Sequence, residues 1–219
     1  KMMEDGLFER FPCDAIFAMH NMPGYPQGQL VFRSGPTMAS SDYATVTLHG
    51  HGGHGAMPHK ATDVVVAAAS IVMALQTLVS RNVDPQAAAV VTVGAIHAGQ
   101  ANNVIPAEAR LEISVRALDP QVRRDLERRL HEVIRLQAQS FGVRVEIDWR
   151  PGYAVLVNDA EQTQRALQVA VKHFPAHQVN PQGAQLTGSE DFAFMLEKVP
   201  GSYLFIGNGA DGEPGACMV

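Results

Sequence analysis

The sequence is poor in cysteine, in positive charge and in long apolar runs. Its 219 residues contain two cysteines, Cys13 and Cys217, so a disulfide framework is excluded and a reducing, cytoplasmic compartment is expected. Seventeen Lys and Arg against 22 Asp and Glu give a formal net charge of −5, without the basic footprint of nucleic-acid binding. No apolar run approaches the ~20 residues of a membrane span, and no signal-peptide pattern is visible. Nucleic-acid and membrane partners are therefore not expected.

What is present is an apolar fraction of 46%, enough to form the core of one large domain or two small ones. Both ends suggest a piece of a longer protein. The chain opens on what resembles the last turns of a helix, and it closes on the apolar, strand-like segment Cys217–Val219. A free-standing domain usually ends in polar residues, so we expect truncation at both ends.

The middle of the chain, residues 36–151, has the pattern of a ferredoxin-like sandwich. Alternating or Val-rich apolar runs predict four strands, at 44–48, 87–96, 111–115 and 143–147. Apolar residues at three- and four-residue steps predict two helices, the first beginning at Asp63 and the second at Asp119. The second has a capping aspartate followed by a proline at the first helical position. The predicted order is β-α-β-β-α-β, the split βαβ arrangement.

Residues 1–35 and 152–219 are predicted to be the two parts of one α/β domain that the sandwich interrupts. The short apolar run within 14–21 is typical of a strand buried on both faces, ending in a turn. Further elements are expected as helices at 159–174 and 189–198 and as a buried strand at 203–206. The expected fold class is α/β with an inserted βαββαβ domain.

Four histidines, His49, His51, His54 and His59, lie in or beside one glycine-rich loop. Imidazole at this density suggests a metal site. Against that, the loop has no Cys, Asp or Glu, and so many glycines would leave a ligand set poorly ordered. The alternatives are one histidine that donates a hydrogen bond or carries a proton near a substrate, or four solvated side chains. A Walker A phosphate loop is excluded, because no Gly-Lys-Ser/Thr follows.

Other polar residues are open to both structural and functional interpretations. His20 ends a predicted buried strand, at the sheet edge where ligands and metals collect, yet a lone histidine is often structural. Asn103 in a polar turn could simply cap that turn. Glu190 and Asp191 are expected in the first turn of a helix, where N-capping competes with a role in a site.

Six blocks, in their order along the chain, resemble the metallopeptidase family M20. They lie at 19–21, 35–39, 53–59, 103–106, 115–116 and 188–192. The resemblance is to the branch of amidohydrolases that cut N-acyl amino acids, such as hippurate hydrolase, and M20 dipeptidases or carboxypeptidases are the alternative. It implies a zinc-peptidase-like catalytic domain interrupted by a dimerisation, or lid, domain. It also implies a homodimer through the lid domain and a small-molecule N-acyl amino acid as substrate.

The resemblance implies roles for individual residues. His20 matches a ligand of a centre of two divalent metal ions, which could be Zn, Mn, Ni or Co. His54 matches the lid histidine that reaches into the partner subunit's active site and steadies the oxyanion of the tetrahedral intermediate. Asn103 and Arg116 match lid groups that hold the substrate's carbonyl and carboxylate, a role for which a planar guanidinium is suited. Glu190 matches a substrate-binding motif at the rim of the site.

The sequence departs from the family where the other metal ligands are expected. A Cys-Gly-His-Asp-Gly-His block, a Glu-Glu pair with the general base, and a final histidine are absent. His20 alone cannot hold a catalytic metal ion against water. We therefore expect a metal-dependent amidohydrolase as the parent protein. The chain by itself is expected to bind no metal firmly and to be inactive, keeping surfaces for dimerisation and substrate recognition.

Overall fold

The computed structural model describes residues 1–210, so the segment Cys217–Val219 lies outside the described residues. The chain divides into two units. Unit 1 comprises Lys1–Ala39 with Tyr153–Val219, and unit 2 comprises Ser40–Gly152. The junctions therefore follow residues 39 and 152, instead of 35 and 151, because the strand at 35–38 pairs within unit 1 with the strand at 156–158.

The described part of the chain contains twelve strands and five α-helices. The strands are β1 (Ile16–Met22), β2 (Leu30–Val31), β3 (Gly35–Met38), β4 (Asp42–His49), β5 (Gly53–His54), β6 (Ala89–Ala98), β7 (Val104–Ile105), β8 (Glu108–Ala117), β9 (Arg144–Pro151), β10 (Leu156–Asn158), β11 (Val179–Asn180) and β12 (Gly201–Gly207). The helices are α1 (Leu7–Arg10), α2 (Val64–Thr77), α3 (Pro120–Ser140), α4 (Ala160–His173) and α5 (Phe192–Leu196).

Unit 2 is the ferredoxin-like sandwich that the sequence predicts. Its sheet has the order β6-β8-β4-β9 with every neighbouring pair antiparallel, and α2 and α3 pack on the sheet. Alternate strand residues such as Leu48 and Leu111 are fully buried against helix residues such as Ile71 and Leu130. The βαββαβ interpretation is confirmed, because the period of two along the strands and of 3.6 along the helices direct the apolar residues into one core.

The helix boundaries of unit 2 follow from capping. The Asp63 carboxylate accepts the backbone N–H groups of Val65 and Val66 and begins α2. Asp119 does the same for Gln121 and Val122 at α3. These side chains satisfy backbone donors that have no partner within the helix.

One helix approaches the length of a membrane span, contrary to the expectation from the sequence. With a π-helical turn at Leu78–Asn82, the helix Val64–Asn82 has 19 residues and a mean hydropathy of 1.8, enough by length and composition. Its buried residues, including Ile71 and Leu75, pack into the core of unit 2. The expectation that no apolar run approaches this length is therefore wrong for this helix, whose apolar residues lie partly in the core and partly, as for Val66 and Met73, on the surface.

The larger sheet of unit 1 is mixed, with the order β1-β12-β2-β11. β1 runs parallel to β12, which is antiparallel to β2. Tyr203 and Phe205 pack on one face with residues of α5, and Leu30 and Phe32 pack on the other with Ala170 of α4. This arrangement makes β12 a central strand with a core on each face.

β1 differs from its prediction in two respects. It continues past His20 to Met22, where a turn was expected, because pairing with β12 extends through Met22 and Gly207. It is also not buried on both faces: Phe17 is 50% and Met19 58% exposed. β1 is an edge strand of the sheet formed by the described residues, and the core on that face, built around Leu30, Phe32 and Ala170, does not include Phe17 or Met19.

Candidate active site

His20 lies on the face of β1 that it shares with Ala18 and Met22, whose side chains pack against the core containing Tyr203. Its own ring is exposed, and Nδ1 lies 2.5 Å from the backbone oxygen of Asn21. A carbonyl oxygen can only accept a hydrogen bond, so Nδ1 carries a proton, and whenever the imidazole is neutral the lone pair is on Nε2. This is the tautomer that a metal-ligating Nε2 requires.

Glu190 lies beside Tyr203 in unit 1. The Tyr203 hydroxyl donates to Glu190 Oε2 at 2.6 Å, and the Phe192 backbone N–H donates to Oε1 at 3.4 Å. Burial alone would raise the pKa of Glu190, but hydrogen bonds from Tyr203, Asp191 and the Phe192 N–H lower it, helped by the nearby charge of His20. Glu190 is therefore held as a carboxylate on the face that carries His20.

Asp191 has the opposite electrostatic character. Its hydrogen bond to Glu190, its burial and the Glu190 charge raise the pKa of Asp191. The two carboxyl groups are therefore coupled, and the negative charge on Glu190 makes the loss of the Asp191 proton less favourable. The capping interpretation is wrong for Asp191, whose side chain makes no cap hydrogen bond. α5 is shorter than predicted, so both acids precede the helix instead of lying in its first turn.

Tyr203 is a residue that the sequence reasoning missed. It is 4% exposed, and burial, the hydrogen bond to Glu190 and the charges of Glu190 and Asp191 all raise the pKa of its hydroxyl. A signal was present in the sequence, since a tyrosine in a buried apolar strand must find a partner for its O–H group.

His54 and Asn103 come together in unit 2. β5 pairs antiparallel with β7, with His54 opposite Val104. The Gly55 backbone N–H donates to the backbone oxygen of Asn103 at 2.8 Å. The two-stranded ribbon formed by β5 and β7 therefore holds His54 and Asn103 beside each other, although they are far apart in the sequence.

The hydrogen bonding of His54 fixes its tautomer. The backbone N–H of Ala56 donates to Nδ1 of His54 at 3.1 Å. Nδ1 is therefore an acceptor, and in the neutral imidazole the proton must be on Nε2. His54 presents an N–H donor from an exposed position at the end of the ribbon.

The glycine-rich loop is ordered by close packing of its backbone. A Cβ at Gly50 would lie 2.6 Å from the Thr62 oxygen, and one at Gly55 would lie 3.1 Å from the Asn103 oxygen. The Thr62 N–H also donates to the His51 oxygen at 2.8 Å. The loop backbone is therefore tightly packed, because the glycines allow the backbone segments to approach and hydrogen-bond.

The histidines of this loop do not form a metal centre. His49 lies between two carboxylates instead, with Nδ1 3.6 Å from Glu108 and Nε2 3.6 Å from Glu146. Across residues 1–210, no group of three or more His, Cys, Asp or Glu side chains could hold a metal ion. The metal interpretation of the loop is therefore wrong. His20 offers a single imidazole, so the described residues alone do not fit a two-metal centre.

Arg116 lies near the end of β8, where its Nη2 is 3.4 Å from the Tyr43 hydroxyl and its guanidinium lies 5.8 Å from the Tyr43 ring centroid. β8 runs from Glu108, directly after β7, so Arg116 is eight residues along it, about 27 Å at the usual rise. Within one unit 2, therefore, Arg116 and the His54–Asn103 ribbon lie at opposite ends of β8. No pattern in the sequence indicated the Tyr43 contact.

Known proteins resemble this chain both within unit 2 and along nearly its whole length. Residues 40–140, almost all of unit 2, match the M20 family model described as a peptidase dimerisation domain. The hippurate hydrolase of Campylobacter jejuni is 40% identical over 210 residues, covering 96% of this chain and 55% of the relative. The N-acetyldiaminopimelate deacetylase of Anoxybacillus flavithermus is 36% identical over 94% of this chain and 54% of the relative. The N-acetyl-L-cysteine deacetylase of Bacillus subtilis is 36% identical over 96% and 50%. The chain thus spans about half the length of these relatives.

Solved structures give the same result. A Staphylococcus aureus structure assigned as an aminohydrolase superposes with a TM-score of 0.86 at 27% identity, covering 97% of this chain and 54% of that one. A dinuclear metal-binding peptidase of the M20 family from Bacillus subtilis superposes with a TM-score of 0.76 at 28% identity, covering 94% and 51%. Fold and sequence therefore point to one family.

Proposed function

We propose that this chain, whose residues 40–140 match the M20 peptidase dimerisation domain, is part of a protein that hydrolyses the amide bond of an N-acyl amino acid. The names of three relatives support this substrate class, since hippurate, N-acetyldiaminopimelate and N-acetyl-L-cysteine are all acylated amines that carry a carboxylate. Two features of such a substrate need recognition: the amide carbonyl, which becomes an oxyanion during hydrolysis, and the carboxylate.

The observation that carries the proposal is the Nε2–H donor of His54 beside Asn103. Attack of water on an amide carbonyl places negative charge on its oxygen, and a preorganised donor lowers the barrier to that step. The Ala56 N–H on Nδ1 keeps the His54 proton on Nε2. We assign His54 to the oxyanion and Asn103 to the substrate carbonyl.

Arg116 is proposed to bind the substrate carboxylate. Its guanidinium can form two parallel hydrogen bonds to a carboxylate, and the Tyr43 ring restricts its motion. Because Arg116 and His54 lie at opposite ends of β8, one active site would take His54 from one protomer and Arg116 from the other. The proposal therefore requires a homodimer.

The proposed dimer surface is the β6 edge of unit 2 with the outer side of α2. β6 is an edge strand whose ten residues include no charged Asp, Glu, Lys or Arg, whereas the opposite edge strand, β9, carries four. Charged residues on an edge strand disfavour its pairing with a strand of another chain, and an edge strand without them pairs more readily. On α2, Val66 and Met73 are 50% and 70% exposed. A second copy meeting this surface about a two-fold axis would cover it.

His20 is proposed to supply one ligand of a divalent metal centre through Nε2, with Glu190 fixing negative charge beside it. A divalent ion would polarise the amide carbonyl and activate water. The other ligands and the general base are proposed to come from the length of the relatives that this chain does not span. The described residues supply recognition of the oxyanion and the carboxylate.

The substrate class is tested by assaying the complete gene product. We expect turnover of hippurate or an N-acetyl amino acid in the presence of a divalent ion, and far less of a dipeptide with a free amine. Preference for the dipeptide would favour the M20 dipeptidase alternative. Absence of hydrolysis of all these amides would refute the proposal.

The role of His54 is tested by His54→Ala in the same protein. Loss of an oxyanion donor typically lowers kcat by about 10²- to 10³-fold, and we expect a loss in that range. His59→Ala, an exposed histidine of the same loop, is the matched control and should leave kcat near that of the wild type. An unchanged kcat in His54→Ala would remove His54 from the mechanism.

A further inference from the structure

The Glu190 carboxylate lies in a segment without regular secondary structure that precedes α5. A charged side chain on such a segment would ordinarily sample several rotamers. Here one carboxylate oxygen is 2.6 Å from the hydroxyl of Tyr203, a residue of the central strand β12. The contact therefore joins the irregular segment before α5 to β12, an interior strand of the sheet.

Tyr203 is anchored through its backbone by a buried amide. The Asn158 side chain, 2% exposed, accepts the Tyr203 N–H at 2.7 Å and donates to the Tyr203 oxygen at 2.8 Å. The same amide donates to the Arg33 oxygen at 2.8 Å. Asn158 therefore ties β12 to the segment just before β3, and the strand position of Tyr203 is closely specified.

The ring of Tyr203 is also restrained. Its centroid is 5.7 Å from that of Phe192 and 5.5 Å from that of Phe205, the latter in an edge-on arrangement. Phe205 is the residue of β12 that pairs with His20 of β1. The hydroxyl is therefore held on the sheet face that carries His20, close to the registered position of that histidine.

We propose that Tyr203 is a positioning residue whose hydroxyl fixes the Glu190 carboxylate on the His20 face of unit 1. Removing the hydroxyl leaves Glu190 with the longer contact from the Phe192 N–H and the hydrogen bond with its sequence neighbour Asp191, so the tie to β12 is lost and the carboxylate gains rotational freedom. The effect of Tyr203 on catalysis rests on the proposed function, whereas the hydrogen bond between Tyr203 and Glu190 does not depend on it.

The contact is tested without any activity measurement. The chain has four tyrosines, and labelling them with ¹³C at Cζ gives one NMR resonance for each. We expect Glu190→Gln to shift the resonance that Tyr203→Phe removes, because a charged acceptor at 2.6 Å polarises the phenol. Glu197→Gln, an exposed glutamate just after α5, is the matched control and should shift none. No response to Glu190→Gln would overturn the inference.

The positioning role is tested by a double-mutant cycle in the complete gene product. We expect Tyr203→Phe to lower kcat/KM by about 10-fold, as loss of a hydrogen bond to a charged group would. In the Glu190→Gln background it should cause little further loss, because Tyr203 acts through Glu190. Tyr25→Phe, in the same core, should have little effect in either background.

The outcomes separate the two proposals. Equal, additive losses from Tyr203→Phe in both backgrounds would overturn the positioning role, since they indicate a structural effect. A wild-type protein that hydrolyses none of the amides would refute the proposed function, and the NMR response would then still decide whether Tyr203 holds Glu190.

Discussion

Asp42 and Arg123 form a buried ion pair at the start of unit 2. The Asp42 side chain is 1% exposed and receives two guanidinium hydrogen bonds, Nε to Oδ2 at 2.8 Å and Nη2 to Oδ1 at 2.6 Å. The Gly152 N–H donates to the same carboxylate at 3.1 Å. One carboxylate thus joins the first strand of unit 2, helix α3 and the last residue of the unit.

We expect Asp42→Ala to destabilise unit 2 by about 3 kcal/mol, because it leaves the Arg123 charge and the Gly152 N–H without this partner. Denaturant unfolding of the chain measures the change. Glu161→Ala provides a control: it removes an exposed pair with Arg165 and should cost well under about 1 kcal/mol. Equal effects of the two substitutions would contradict the importance assigned to the buried pair.

At the scale of elements, the two edges of the unit 2 sheet are chemically different. β9 carries Arg144, Glu146, Asp148 and Arg150, which pair with one another or with neighbouring strands. β6 has Val and Ala along most of its length, and Ile96 near its end is 51% exposed. Since both edge strands belong to one sheet that packs on one core, the difference concerns association and not folding.

We expect Ile96→Lys to convert the dimer to monomer, because a two-fold interface contains the new charge twice. Light scattering on the complete gene product at micromolar concentration measures the mass. Asp148→Lys on β9 is the corresponding charge change at the other edge and should leave the dimer intact. Dissociation by Asp148→Lys with no effect of Ile96→Lys would move the interface to β9, and a monomeric wild type would refute the dimer.

At the scale of the molecule, the chain contains a complete ferredoxin-like unit and a second unit with few side chains that could take part in catalysis. Unit 2 has its own core and matches a dimerisation domain. Unit 1 brings His20, Glu190, Asp191 and Tyr203 to one sheet face, but the described residues include no cluster able to hold a metal ion. The relatives are about twice as long as this chain.

We therefore expect the 219-residue polypeptide to bind no pair of divalent ions and to cleave no hippurate-like amide. Titration calorimetry with Zn²⁺, Mn²⁺ or Ni²⁺ measures binding, and an assay of amine release measures turnover. The complete gene product, assayed in parallel, controls for the choice of substrate and metal. Turnover by the polypeptide alone would show that its own residues suffice.

The order of elements could be predicted from the sequence because it depends on local patterns. Alternation along β4 and β8, and the aspartates that begin α2 and α3, act within a few residues and specify which side chains are buried. The same logic failed for β1. An apolar run reports that a strand can be buried, whereas its exposure depends on which neighbours pair with it and cover it.

The site residues His20, His54, Asn103, Arg116 and Glu190 were identified by resemblance, and their roles stay predictions. Only the tertiary structure decided how they are arranged: it brought His54 to Asn103 through β5 and β7, separated Arg116 from both along β8, and placed Tyr203 against Glu190. These relations join segments distant in the chain. Local periodicity fixes which face a side chain occupies, but the distance between two faces is set by strand pairing, which long-range contacts determine.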